Sequence, residues 1–241
     1  MSAAADIQLK ASCTVSRTPG PFWRHQPKEL TMALNDRLLW RYATKSYNGN
    51  TVEQDKIDPI LEAIRLAPSS SGLQPFKVIV IADPVLKAQL QPICANQQQI
   101  TQASHLLVFA AWDAYTPERI NGFFEYSNGI RNLPASVTDD YRRSLLDSFG
   151  SLSQEQQHVH ASKQCYLALG FGLLAAAELG VDATPMEGFD SQAVNALLQL
   201  PEQGLSSCVL LALGYRDIEG DWLVKLEKVR RTRANLFVEI G

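Results

Sequence analysis

The sequence predicts an α+β (or α/β) layered domain, and three features predict it. Short aliphatic and β-branched runs at 76–82, 106–112 and 207–213 have the length of buried strands. Segments of helical period separate these runs and outnumber them, the pattern of helices layered on a sheet. The apolar fraction of 46% beside 20% charged residues belongs to a globular chain, and 241 residues suffice for one large domain or two small ones.

Residues 1–31 stand apart. They mix Ala, Ser, Thr, Pro and Gly without a sustained period, and Ser16-Arg17-Thr18-Pro19-Gly20-Pro21 is incompatible with regular structure. A flexible N-terminal extension is expected there, or an arm that clasps a partner subunit through Phe22 and Trp23. A single domain is expected over 32–241.

Residues 35–42 predict a short helix whose C-terminal part presents Arg41. Thr51-x-x-Gln54 has capping-box spacing, and Ile57, Ile60, Leu61, Ile64 and Ala67 follow at helical intervals. Pro59 marks either a kink or the first turn, and Pro68 ends the helix. The run 76–82 is expected as a central strand. Helix is expected over 84–94, with Pro84 in its first turn, and a second strand over 106–112. The stretch 117–150 reads as irregular helix broken at Gly129 and Pro134. Ser153-x-x-Gln156 caps a long helix that reaches about Leu179, with Gly180 as its stop. A helix over 190–200 and a third strand over 207–213 follow. The last residues, Phe237-Val238-Glu239-Ile240-Gly241, have strand character with nothing nearby in sequence to pair with.

Charge and composition exclude several functions. A net charge of -3 and a pI near 5.8 do not suit a dedicated nucleic-acid binder. No apolar run approaches the ~20 residues of a membrane span; the stretch 165–179 is interrupted by Gly170, Gly172 and Glu178. The N-terminus lacks the apolar core of a signal peptide, so a cytoplasmic location is expected. Cys13, Cys94, Cys165 and Cys208 form no C-x-x-C pair, which argues against structural zinc, and no metal site is expected.

Tempting motifs fail on context. Gly170-Phe171-Gly172-Leu173-Leu174-Ala175 fits a dinucleotide fingerprint but lies inside a helical pattern, without the preceding strand that the fingerprint needs. Small residues there suit close helix approach. His158 and His160 are two apart, so they do not share a helix face. His105 reads as structural.

Three sparse motifs and a basic pair carry the chemistry: Arg41-Tyr42-Ala43-Thr44-Lys45-Ser46-Tyr47, Ala67-Pro68-Ser69-Ser70-Ser71-Gly72-Leu73-Gln74-Pro75, Pro185-Met186-Glu187-Gly188-Phe189, and Lys228-Val229-Arg230. Separately, each has an ordinary explanation. Arg41 and Lys45 suit a helix C-terminus, the serines suit a turn, and Lys228 to Arg233 suits a solvated basic tail.

Together, in this order, they resemble the FMN-dependent nitroreductase family, in its oxygen-insensitive NAD(P)H nitroreductase and dihydropteridine reductase branch. The resemblance runs from about Leu38 to Arg230. It implies a nitroreductase-like sandwich: a central mixed sheet flanked by helices, with a C-terminal segment exchanged between two subunits of a homodimer. By that similarity Arg41, Tyr42 and Ala43 lie along the ribityl phosphate of FMN. Lys45 and Asn96 lie near the pyrimidine edge. Ser69, Ser70 and Ser71 serve the partner's flavin. Pro185, Met186, Glu187 and Gly188 pass over the ring, with backbone N–H groups near N5. Lys228 and Arg230 clamp the phosphate.

Departures accompany the resemblance. Gln99 stands where close relatives often carry lysine, Tyr42 replaces a histidine or small polar residue, and Met186 replaces a branched aliphatic. Leu145 or Leu146 falls where some relatives place an aromatic. The implied activity is ping-pong hydride transfer from NADH or NADPH through FMN to a nitroaromatic, quinone or related small-molecule acceptor. No side chain is required as an acid or base. A flavin-binding sensor or carrier without turnover is the alternative.

Overall fold

The structure is a computed structural model, and it describes residues 34–241. The reading of 1–31, Phe22 and Trp23 included, lies outside the described residues, as does Cys13.

The described strands are β1 (Phe76–Ile81), β2 (His105–Trp112), β3 (Asp182–Met186) and β4 (Leu205–Gly214). They form one sheet in the order β1-β2-β4-β3, with every pair antiparallel. The nitroreductase-like layering is present, but two details of the expectation change. The sheet of this chain is antiparallel rather than mixed: helical connections, the usual mark of parallel crossovers, here join antiparallel neighbours. And β1 lies at an edge, not at the centre, with Lys77 and Val80 exposed.

Strand β3 was not legible as a strand. Asp and Pro are poor strand formers, and Pro185 cannot donate to a ladder. An edge tolerates both, and β3 pairs only with β4 among the described strands.

Strand β2 explains the layers. Leu107, Phe109 and Ala111 face one core with helices α2 (Gln54–Leu66), α5 (Pro117–Arg131) and α7 (Gln154–Glu178). Leu106 and Val108 face a second core with α3 (Pro84–Ile93), α4 (Gln99–Gln102) and α8 (Ser191–Leu197). Alternation sends neighbours to opposite faces. Because both faces are covered, the strand reads as an unbroken apolar run.

Four of the described helix starts follow cap chemistry. Asp83 accepts from the Val85 N–H, Thr116 from Arg119 and Asp190 from Ala193. Ser153 and Gln156 form the expected reciprocal capping box. The Thr51–Gln54 box does not form. Helix α2 starts after Glu53, and Gln54 Nε2 instead donates to Asp58 at 2.6 Å. Pro59 therefore sits inside α2, past its first turn. Gly129 does not break α5; the break comes at Asn132, in the left-handed region at φ 54°, and at Pro134, before α6 (Asp139–Gly150).

Helix α7 stops at Gly180 (φ 67°), where the Gly180 and Val181 N–H groups bond the carbonyls of Ala177 and Ala176. Gly172 is where α2 presses on α7. A Cβ there would lie 2.9 Å from Ile64 Cγ1. Close helix approach, not cofactor binding, is the use of that glycine. The tail holds a short helix α9 (Arg233–Leu236), then runs without a strand partner among the described residues, with Phe237, Val238 and Ile240 exposed. No helix among the described residues is long and apolar enough to cross a membrane.

Gly172→Ala should destabilise the fold by ~1–2 kcal/mol, the overpacking cost reduced by the gain in helix propensity. Ile64→Val should recover part of the loss. Denaturant unfolding of the three variants checks this, and a neutral Gly172→Ala contradicts it.

Candidate functional site

Helix α1 (Leu34–Trp40) buries no residue, so the core does not fix it. The chain then runs extended from Arg41 to Tyr47 and lies against β3 and the end of β4. Thr184 Oγ1 donates to the Thr44 carbonyl at 2.7 Å. The Tyr47 hydroxyl reaches Thr184 Oγ1 at 3.0 Å and the Ala212 carbonyl at 2.9 Å. Thr44 Oγ1 donates to Asp182 at 3.3 Å. These bonds bring the first motif beside the strand that carries Pro185 and Met186.

Two buried carboxylates anchor the segment. Asp221 is 2% exposed and accepts from the Lys45 N–H at 2.8 Å and the Tyr42 hydroxyl at 2.9 Å. Burial, then the bond to Asp221, pushes the Tyr42 hydroxyl up to about 12, so it stays a neutral donor. Asp182 is 4% exposed and accepts from Arg216 Nε at 2.9 Å, Nη2 at 2.6 Å and backbone N–H at 2.9 Å. The Arg216 guanidinium also lies over the rings of Trp40 and Tyr42, 4.4 and 4.6 Å from their centroids.

The tail returns to α1. Lys228 Nζ donates to the Leu38 carbonyl at 2.7 Å and to the Arg41 carbonyl. Both belong to the helix end, where carbonyls lack intrahelical partners and the dipole favours a cation. The helix-end role considered for Arg41 and Lys45 thus falls to Lys228.

The result is a concentration of positive charge. Burial, then the nearby Arg230, lowers the Arg41 pKa. Burial, then Arg41 and Arg230, lowers that of Lys228. Among the described residues no carboxylate forms an ion pair with Arg41, Lys228 or Arg230. Arg41 Nε is buried with no hydrogen-bond partner among the described residues. A buried donor without a partner costs free energy, and three adjoining cations repel. A phosphate meets both demands, because a guanidinium fork matches its oxygens.

Glu187 and Gly188 are exposed at the end of β3. Two side chains hold them: the Tyr166 hydroxyl of α7 donates to Glu187 Oε1 at 2.6 Å, and Gln97 Nε2 donates to the Gly188 carbonyl at 2.8 Å. Gln97 sits in the turn that carries Asn96, whose φ of 53° is one that asparagine tolerates. Gln102 ties α4 back to the first motif by accepting from the Tyr47 N–H at 3.2 Å. Gln99 opens α4 half-buried. The Met186 side chain is buried in the second core. Leu145 and Leu146 pack against the first core.

The serines do not join the cation cluster within one chain. The Ser70 N–H donates to Gln164 of α7 at 2.8 Å, and Ser71 Oγ accepts from the Tyr141 hydroxyl at 2.8 Å. Helix α1 meets α7 at Glu178, through Arg37 at 3.4 Å. Fourteen residues of helix separate Gln164 from Glu178, about 21 Å at ~1.5 Å per residue.

Sequence reasoning missed Asp182, Thr184, Gln97, Tyr166, Arg216 and Asp221. All act by holding the motif residues in place, and none stands in a motif of its own. The other rejected motifs behave as structural groups. His158 Nδ1 bonds the Trp112 carbonyl at 2.9 Å, His160 Nδ1 the Tyr115 hydroxyl at 2.8 Å, and His105 Nδ1 Ser104 Oγ at 2.9 Å. Among the described residues no group of three His, Cys, Asp or Glu side chains could hold a metal.

Comparison with known proteins places the chain. Residues 38–215 match the Nitroreductase family. The chain belongs to that family. It is 29% identical over 211 residues to the oxygen-insensitive NAD(P)H nitroreductase of Salmonella typhimurium, covering 84% of this chain and 97% of that protein. It is 30% identical over 204 residues to the major NAD(P)H-flavin oxidoreductase of Aliivibrio fischeri, covering 79% and 91%. Among solved structures, a nitroreductase in complex with FMN from Exiguobacterium sibiricum shares the fold with a TM-score of 0.74 at 18% identity, over 89% of this chain and 100% of that one. The family match stops at Tyr215, so Lys228 and Arg230 lie beyond it. Geometry, not alignment, puts them beside Arg41.

Crowding has a pH signature. The folded Lys228 pKa is lowered, so between it and the ordinary lysine value of about 10.4 the unfolded chain binds more protons. Stability from this residue therefore rises with pH across that window. Lys228→Gln lacks the rise. Melting temperatures of both proteins, measured without ligand from neutral pH upward, should separate increasingly in favour of the wild type; parallel curves would remove Lys228 from the cluster.

Proposed function

We propose that this protein is an FMN-dependent NAD(P)H oxidoreductase that reduces nitroaromatic, quinone or related acceptors in two half-reactions at one site. The observation that carries the reading is the cluster of Arg41, Lys228 and Arg230, without a carboxylate partner among the described residues and with Arg41 Nε buried and unbonded among them. It fits the phosphate of FMN in charge and in donor geometry. The family membership and the names of the relatives support the same reading.

Bound, FMN supplies the redox chemistry that links NAD(P)H to the acceptor. The protein's own residues bind and orient. Arg41, Lys228 and Arg230 hold the phosphate, with Tyr42 and Ala43 beside it. Lys45, Asn96 and Gln99 take the pyrimidine edge, where Lys45 offsets negative charge. The Glu187–Gly188 backbone, held by Tyr166 and Gln97, offers N–H groups to the ring. None of these roles needs a side chain to move a proton.

The working form is a homodimer. Ser69, Ser70 and Ser71 lie far along α7 from the cation cluster of their own chain, so a second copy supplies them to the site. Tyr166, Leu167 and Phe171 leave α7 40–47% exposed, and Phe237, Val238 and Ile240 are open on the tail. These apolar surfaces suit burial against that copy. A reducing, cytoplasmic setting fits the free buried Cys94 and Cys165.

The purified protein should show a bound-flavin absorbance spectrum that bleaches on anaerobic NADH or NADPH and recovers with a nitroaromatic or quinone. Flavin that never bleaches indicates a sensor or carrier. A protein that neither holds nor takes up FMN ends the reading. Arg41→Ala should weaken FMN binding by ~1.5–3 kcal/mol, the range for charge-assisted hydrogen bonds, and truncation after Leu226 should abolish flavin retention. An unchanged dissociation constant, or a truncated protein that stays yellow, would misplace the phosphate.

A further inference from the structure

We propose that Arg216 is a positioning residue for the anion site: it touches no ligand but sets where Arg41 stands. The inference rests on reading Arg41, Lys228 and Arg230 as a phosphate site. Arg41 lies between Trp40 and Tyr42 in sequence, and the rings of both lie on one guanidinium, that of Arg216, at 4.4 and 4.6 Å. Asp182 fixes the plane of that guanidinium through Nε and Nη2, at 2.9 and 2.6 Å, and fixes its backbone through the N–H at 2.9 Å. The Tyr42 ring is held at its far end as well, by Asp221 at 2.9 Å.

This arrangement matters because little else places Arg41. Helix α1 buries no residue. Its ion pair to α7, Arg37 to Glu178, is 3.4 Å long and half open to solvent on the glutamate side. Lys228 holds the helix end, but Lys228 belongs to the site itself and to the exposed tail. Arg216 is the anchor that comes from the sheet: its backbone pairs with Tyr47, two residues past the end of β4. It transmits the position of β3 and β4 to the residues on either side of Arg41. A planar cation is required, because only arginine can fork onto a carboxylate and stack on rings at once.

A purely structural Arg216, present to neutralise Asp182, would behave differently. Lysine would neutralise Asp182 equally well and leave the phosphate site unaltered. The test therefore compares FMN with riboflavin, which lacks the phosphate, by flavin fluorescence titration of the full chain. The variants are Arg216→Lys, which keeps the charge, and Trp40→Leu, which keeps Arg216 and Asp182 intact if the first variant folds poorly. Melting temperatures without flavin are recorded alongside.

The preference for FMN over riboflavin should fall by about tenfold in each variant, equivalent to ~1.4 kcal/mol, while riboflavin affinity changes less than about twofold. An unchanged preference in variants that fold would overturn the positioning role and leave the phosphate site standing. Parallel weakening of both flavins with a lower melting temperature would also overturn it, as general destabilisation. A wild type with no preference for FMN would sink the phosphate site, and this inference with it.

Discussion

The buried carboxylate of Asp182 is the constraint on which the functional half of the molecule depends. It sits at the first position of edge strand β3, 4% exposed, and a buried charge must be paired or the fold loses several kcal/mol. Arg216 pairs it three ways, and Thr44 adds a fourth bond. The pair ties together three pieces: the start of β3, the chain leaving β4, and the extended segment after α1. Asp221 repeats the device from the following turn. Buried acids thus substitute for the ladder or helix that would ordinarily fix residues 41–47.

This choice suits a binding segment. Backbone held by side-chain acids keeps its cationic side chains free, whereas a salt-bridged cation would be spent. The acids in this region are occupied by backbone N–H groups, hydroxyls and Arg216. Arg41 and Arg230 are left without such partners among the described residues. The cluster is therefore crowded in the absence of an anion, and on the proposed reading that repulsion would become differential affinity when an anion arrives. Repulsion that costs stability in the free chain is a source of binding free energy, since a site need not be optimal for the empty state.

Sequence legibility divides along the same line. Helices α2 and α7 and strands β2 and β4 were readable because period and burial agree: Ile57, Ile60 and Ile64 on one face, or the unbroken run 106–111 with helices on both sides. The motif residues were readable because they recur together in a known order. The fold's edges were not. Strand β1 carries the β-branched run of a central strand but lies outermost, and β3 hides behind an aspartate and a proline. The supporting residues were silent for a related reason. Asp182, Arg216 and Asp221 act through tertiary partners 34 to 179 residues away, and no local period encodes such pairs. The Thr51–Gln54 pattern shows the converse: a local signal that the fold did not use, because helix α2 begins two residues later.

Layering also determines where a ligand can sit. Helices cover both faces of the sheet, so no face is open. What remains is the two edges and the ends of the strands; at the β3 edge Glu187 and Gly188 emerge and residues 41–47 cross. On this edge the long helix α7 contributes Tyr166 from one turn while leaving Leu167 and Phe171 to solvent. A helix that holds a site residue and exposes apolar neighbours beside it is incomplete as a monomer surface. The serine loop makes the same point: the Ser71 hydroxyl accepts from Tyr141 and the Ser70 N–H donates to Gln164, about 21 Å along α7 from Glu178, where α1 meets it. A two-fold partner resolves both facts together. On the proposed homodimer reading it would bury the apolar stripe of α7 and, by the same operation, return one chain's serines to the other chain's cations, so that association and completion of the site would become one event.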